Sequence, residues 1–262
     1  MSARPFPRGL VQPEGAYRFG LEALLLAAFA ARTLRERRAG RESAVAELGS
    51  GCGAALLGVA LRVPGARCLG LEREPVLVAA ARANAAALGL ACRVRFAEAD
   101  VAKMEQVRRD ETPRDMVLAN PPWGISGRPS PSRLREAALR GGEAGDSFPA
   151  FCAAAASLLR PKGLFCCIVP TQTLTRICAA LEGARLGLRR ILPLRPHSGD
   201  AAHRLLLLAQ KGACAEPELC PPLTLHRRGA GAPLWTRAAL SFCPWLGQGP
   251  AASGPPLHGD AP

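Results

Sequence analysis

The stretch "AVAELGSGCGAALLGVALR", residues 44–62, restricts the possible folds more than any other part of the chain. An apolar run ends at Leu48, glycines follow at 49, 51 and 53, and an Ala/Leu-rich segment starts at once. The run reads as a buried strand and the Ala/Leu segment as a helix. The glycines let the backbone turn sharply between them and bring a ligand close to the helix N-terminus.

The same unit repeats with variations. "ARCLGLERE" reads as a second strand ending at Glu72, and Pro75 opens an Ala-rich helix over 75–88 at a position suited to N1. "CRVRFAEAD" is a third strand ending near Asp100, and "DMVLAN" a fourth, cut off by Pro121 and Pro122. "DSFPAFCAAAASLLRPKG" reads as a helix stopping at Pro161 and Gly163, before a fifth strand, "LFCCIVP". A helix near 172–183 precedes "GLRRILPLRP" and "HRLLLLAQKG". The loop between these last two strands is too short for a helical crossover, so they form an antiparallel hairpin.

Strands that are apolar throughout, set between helices, predict a parallel sheet covered on both faces. The expected fold is α/β and Rossmann-like: a mostly parallel seven-stranded sheet, a C-terminal antiparallel hairpin, and helices on both sides. Such a sheet binds its ligand at the carboxyl edge of its strands. One domain is expected over 1–243, with an N-terminal cap and helix region in 1–43 and the core in 44–243. The Gly/Pro/Ala-rich stretch 244–262 has little to bury and is expected to be disordered.

Charge narrows the partners. With 34 Lys and Arg against 21 Asp and Glu, the net charge is +13, which favours a polyanion such as nucleic acid. The plainer reading is an Arg-biased composition, since Lys is scarce. Ten cysteines include no Cys-x-x-Cys pair, and Cys166 and Cys167 sit in an apolar run as small hydrophobes, so no metal is expected. The opening "MSARPFPRGL" has no apolar signal region and "LLLAAFAA" is too short to span a bilayer. A cytoplasmic protein with no membrane association is expected, and a monomer is favoured.

The candidate site starts from the glycine turn. Gly49, Gly51 and Ala54 satisfy G-x-G-x-x-G/A, which by itself also fits a tight turn with no ligand. Three acids raise its value: Glu47 at the end of the first strand, Glu72 at the end of the second, and Asp100 at the end of the third. Glu72 is placed to accept from both ribose hydroxyls and Asp100 from an adenine amino group. Together these residues point to an adenosine-bearing cofactor: NAD, FAD or S-adenosylmethionine.

"NPPW", residues 120–123, separates them. The prolines stiffen the backbone, so the Asn120 side-chain oxygen and the Pro121 carbonyl make adjacent acceptors. An amino group on a conjugated ring or amide would donate to both. Its delocalised lone pair would then localise toward an electrophilic methyl carbon, while Trp123 offers a face for stacking a flat substrate. A rigid loop carrying a core Trp is the bland alternative.

The glycine turn followed by "NPPW" resembles the class I methyltransferases that modify exocyclic or amide nitrogens. Within them, residues 8–243 resemble the bacterial tRNA-valine adenine-N6 methyltransferases, through "GLVQPEGAYRFGLEALLLAAFA", "VLANPPWG", "AHRLLLLAQKG" and "LTLHRRGAGAPLWTRAALSF". The resemblance implies S-adenosylmethionine as cofactor, with Glu47, Gly49, Gly51, Gly53, Glu72, Asp100 and Asn120 around it. It implies Asn120, Pro121, Pro122 and Trp123 at the reacting nitrogen and a tRNA adenine, 3′ of the anticodon, as acceptor. The family usually has Asp where Glu22 stands, Tyr where Trp123 stands, and a Tyr near Leu234 and Trp235. About forty-five residues precede the glycine turn, too few for the helical domain of release-factor glutamine methyltransferases. Methylation of an rRNA guanine N2, an rRNA adenine N6 or a protein glutamine N5 stays open, as does a silent RNA-binding partner. The basic loop "ISGRPSPSRLREAALRGG", with Arg128, Arg133, Arg135 and Arg140, suits a phosphate backbone, and Arg227 and Arg228 extend it. A solvated loop would look the same.

Overall fold

Alternating small and branched apolar residues make β1 (Ser43–Leu48) a two-faced buried strand, and the rest of the sheet is built outward from it. The computed structural model describes residues 6–16, 18–38, 42–103, 112–122, 148–229 and 234–248. Helix α1 (Leu21–Arg38) comes first, then β1, α2 (Ala54–Arg62), β2 (Ala66–Glu72), α3 (Pro75–Ala87), β3 (Val94–Glu98) and β4 (Arg114–Ala119). They are followed by α4 (Phe148–Leu158), β5 (Leu159–Pro170), α5 (Leu174–Gly183), β6 (Leu186–Arg195) and β7 (Arg204–Lys211).

The strand order is β3-β2-β1-β4-β5-β7-β6, with β7 antiparallel to both its neighbours and the other pairings among these seven parallel. This is the expected mostly parallel sheet with its terminal hairpin. Two further strands of two residues each, β8 (Glu218–Leu219) and β9 (Leu223–Thr224), continue it along β6. A separate ribbon pairs β10 (His226–Arg227) with β11 (Leu234–Trp235).

Side-chain alternation sorts the sheet into two cores. Val45, Cys68, Met116, Leu118, Cys166 and Ile168 face α1, α2 and α3. Ala46, Leu48, Leu69, Val117, Phe165 and Cys167 face α4 and α5. Cys166 and Cys167 thus enter opposite cores, and burial pushes both thiols upward, so neither is a nucleophile at neutral pH. Among the described residues, no helix is long and apolar enough to cross a membrane, and no group of three His, Cys, Asp or Glu is placed to hold a metal.

The structure departs from the sequence expectation at three places. The helix α4 stops at Leu158, before Pro161, because Leu159 already pairs with Arg114 of β4. The following residues bulge out of β5, with Lys162 in the left-handed region at φ 62°, before Leu164 pairs with Met116. β3 ends at Glu98, two residues short of Asp100. Chain order does not give way at Pro244: residues Pro244–Gln248 form a 3-10 turn. Trp245 there meets the Phe6 ring edge-on at 4.8 Å, and Leu246 is buried. Residues 249–262, the remainder of the expected disordered tail, lie outside the described residues.

Candidate active site

The pairing register brings the candidate groups to one edge. Leu48 of β1 lies opposite Leu71 of β2 and opposite Ala119 of β4, and Glu72 lies opposite Glu98 of β3. Neighbouring strands are ~4.8 Å apart. Gly49 and Asn120, each one residue past its strand, and Glu72, the last residue of β2, therefore stand side by side at the carboxyl edge. Asn120 is half-buried and Pro121 buried. Asp100 joins them through the backbone, since Ala99 N donates to the Glu72 carbonyl at 2.9 Å. One Asp100 oxygen accepts from Ala102 N at 3.0 Å, which caps the 3-10 turn Val101–Lys103.

The glycine turn needs its glycines for two different reasons. Gly49, Gly51 and Gly53 all have positive φ, at 65°, 54° and 88°. A Cβ at Gly53 would also come within 2.7 Å of the Phe96 ring, whereas one at Gly51 would meet nothing within 4 Å. Gly53 is thus a packing requirement, while Gly51 opens toward free space. Gly53→Ala is expected to cost ~2–4 kcal/mol of stability, from left-handed strain plus overpacking. Gly51→Ala should cost ~1–2 kcal/mol, from strain alone, yet weaken cofactor binding. Urea unfolding and calorimetry with S-adenosylhomocysteine measure the two effects. Unchanged binding by Gly51→Ala would mean that the open side of the turn faces no ligand.

The two acids nearest the turn behave differently. Glu72 is 9% exposed. Its two oxygens accept from Gly51 N at 2.8 Å and Glu74 N at 3.0 Å. A carboxylate has about four acceptor positions, so two remain for ribose hydroxyls. Those acceptor positions fit the adenosine half of S-adenosylmethionine. Glu47, 3% exposed, turns inward and accepts from Leu56 N of the first α2 turn at 2.9 Å. It works as the internal cap that α2 lacks at Gly53, which makes no side-chain bond. Glu47 therefore acts on the turn from beneath.

Burial pushes the Glu47 carboxyl up to about 8, against the Leu56 N–H, which lowers it, and with an added push from Glu72. The folded state then keeps a proton that the unfolded chain, near 4.5, has lost. Glu47 protonation stabilises the fold fully below pH 4.5, and that stabilisation is lost as pH rises through about 8. The expected slope from this group is at most ~1.4 kcal/mol per pH unit. Glu47→Gln, which keeps an acceptor oxygen for Leu56, should flatten the stability profile between those limits. Parallel profiles for the two proteins would contradict this.

A fully buried amide that sequence reasoning missed lies behind the turn. Asn84 of α3 is 1% exposed, and its Nδ2 donates to the Cys52 carbonyl at 3.0 Å. Its only sequence signal is a lone Asn among the alanines of α3. Of the other predicted residues, Trp123, Arg128, Arg133, Arg135 and Arg140 lie outside the described residues. Arg227 is exposed on β10. Arg228 pairs with Asp200, which also accepts from His197 Nδ1 at 3.0 Å, so part of its charge is already compensated. Neither arginine is placed beside Asn120 by any contact within the described residues.

Comparison with known proteins adds sequence and fold relationships. The profile of a methyltransferase domain family matches residues 41–185. The chain is similar to the tRNA1(Val) (adenine(37)-N6)-methyltransferase of Porphyromonas gingivalis strain W83, at 33% identity over 186 residues, 68% of this chain and 70% of that protein. It is also similar to the release factor glutamine methyltransferase of Moorella thermoacetica, at 35% identity over 127 residues, 46% of this chain and 43% of that one. Among solved structures, a predicted O-methyltransferase, protein Atu636 from Agrobacterium tumefaciens, superposes with a TM-score of 0.67 at 26% identity. The match covers 86% of this chain and 96% of that one.

Proposed function

Given that the chain belongs to the class I S-adenosylmethionine-dependent methyltransferases, we propose that it methylates N6 of an adenine in tRNA, at the position 3′ of the anticodon in a valine tRNA. The observation that carries the acceptor chemistry is the register of β1 and β4, with Leu48 opposite Ala119. It sets Asn120-Pro121 beside the glycine turn at the same edge. The adenine-N6 relative, matched over two thirds of both chains, and the net charge of +13 support RNA as the acceptor. A tRNA substrate makes the cytoplasm the expected place of action.

When bound, S-adenosylmethionine supplies an electrophilic methyl group on a sulfonium. The residues of this chain do the positioning. Glu72 would accept from the ribose hydroxyls and Asp100 from the adenine amino group, and the Gly51 side of the turn leaves room for close approach. Asn120 Oδ1 and the Pro121 carbonyl accept the two hydrogens of the target amine. Held this way, the amine lone pair leaves conjugation and points at the methyl carbon. Trp123 stacks the target base. As the nitrogen–methyl bond formed and the methyl–sulfur bond broke, with S-adenosylhomocysteine leaving as a neutral thioether, the nitrogen would become acidic and its proton would pass to water without a dedicated base. Positioning and electrostatics carry the catalysis.

The release-factor relatives favour a second acceptor, a protein glutamine amide, which the same pair of acceptors would hold. Incubation with methyl-labelled S-adenosylmethionine and separated tRNA, ribosomal RNA and release-factor fractions distinguishes these acceptors. Label in tRNA as N6-methyladenosine is the expected result. Label only in release factor would replace the RNA reading with the glutamine one.

A further inference from the structure

The N-terminal segment and the glycine turn share one side chain. Asn84 Oδ1 accepts from Val11 N at 2.7 Å, and Nδ2 donates to the Val11 carbonyl and the Cys52 carbonyl, both at 3.0 Å. The first two bonds treat the Val11 peptide as a neighbouring strand would, with one donor and one acceptor on each side. The third places that peptide against Cys52, between Gly51 and Gly53. All three bonds come from an amide that is 1% exposed, in a helix interior where an unpaired amide would be costly.

The rest of the segment is fastened at its ends. Phe6 meets Trp245 at 4.8 Å, Leu10 and Ala16 are buried, and Gln12 Oε1 accepts from Phe19 N at 3.1 Å. Val11 itself is 48% exposed, so its side chain contributes little packing. The middle of the segment is held by its backbone, through Asn84.

We infer that Asn84 is a positioning residue for the cofactor: it clasps the Val11 backbone to the glycine turn, and so couples residues 10–16 to the turn that holds the cofactor. This rests on the S-adenosylmethionine reading of that turn. Occupancy of the turn and closure of the segment are then thermodynamically linked. A bound cofactor protects the Val11 amide, and release of the segment weakens binding in proportion to the closed fraction lost.

Two full-length variants separate this from a role in the fold alone. Asn84→Ala removes all three bonds. Val11→Pro removes the segment's N–H donor, with φ fixed at residue 11 and Leu10 restricted, and leaves both partners of the Asn84–Cys52 bond in place. Binding of S-adenosylhomocysteine is measured by calorimetry, amide exchange at residue 11 by mass spectrometry or NMR, and the thermal midpoint by scanning calorimetry. Each variant is expected to weaken binding by ~10-fold, as for a closed segment reduced to about one-tenth. The double variant should be no weaker than Asn84→Ala, because both changes break one link. In the wild type, ligand should slow exchange of the Val11 amide. Normal binding by Val11→Pro beside weak binding by Asn84→Ala would overturn the inference, since Asn84 would then act through Cys52 alone. Normal binding by both would overturn it as well. Failure of the wild type to bind S-adenosylhomocysteine would instead remove the cofactor reading, and this inference with it.

Discussion

Asn120→Ala is expected to lower methyl transfer by ~100-fold to 1,000-fold while leaving S-adenosylhomocysteine affinity within about threefold of wild type. The lost oxygen is the acceptor proposed for the target amine, and its importance would grow as the nitrogen leaves conjugation. Its main effect therefore falls on the transition state. Asn120 follows β4 directly and is half-buried, and Pro121 beside it is buried, so truncation creates little cavity. Stability should change by under ~1 kcal/mol. Asn120→Asp is informative too, since it keeps the oxygen but adds a charge beside Glu72 and Asp100. Trp123→Ala should instead weaken binding of the target nucleotide by roughly 1–3 kcal/mol, with Trp123→Tyr tolerated.

Glu72→Ala should cut cofactor affinity by about 100-fold or more. It removes the acceptor proposed for the ribose hydroxyls and also releases Gly51 N and Glu74 N, now held at 2.8 and 3.0 Å. Bonds to a charged group are worth ~1.5–3 kcal/mol each, so losing two suffices for that change. Glu72→Gln tests the partition. Its oxygen can still accept from Gly51, but its amide nitrogen would face the Glu74 N–H, donor against donor. An intermediate loss is expected, with Glu74 amide exchange accelerated and Gly51 less affected. Tight binding by Glu72→Ala would remove this residue from the cofactor site.

The sheet was legible because its central strands are largely apolar runs, and because two glycine- or proline-marked breaks, at 49 and 121, fixed the carboxyl ends of β1 and β4. The hairpin was legible from its short connection. Other features depended on direction, which residue type does not encode. Glu47 and Glu72 look equivalent at their strand ends. Yet Glu47 is turned under the turn to cap α2 at Leu56, while Glu72 takes the turn's own N–H from above. Pro161 was read as a helix stop, but the helix had already ended at Leu158, where pairing of Leu159 with Arg114 outcompeted another helical turn. Trp245 was hidden among Gly, Pro and Ala because its partner, Phe6, lies at the other end of the chain. Asn84 was unreadable for the same reason: its partners are 73 and 32 residues away.

On the proposed function, the edge formed by Gly49, Glu72 and Asn120 transfers a methyl group to adenine N6 in tRNA. Single-turnover kinetics on transcribed valine tRNA tests it most directly, with the product nucleoside identified by mass spectrometry. N6-methyladenosine formed by the wild type, and none formed on the same timescale by Asn120→Ala, is the predicted result. Near-normal turnover by Asn120→Ala, or a product methylated on another nucleoside, would contradict it.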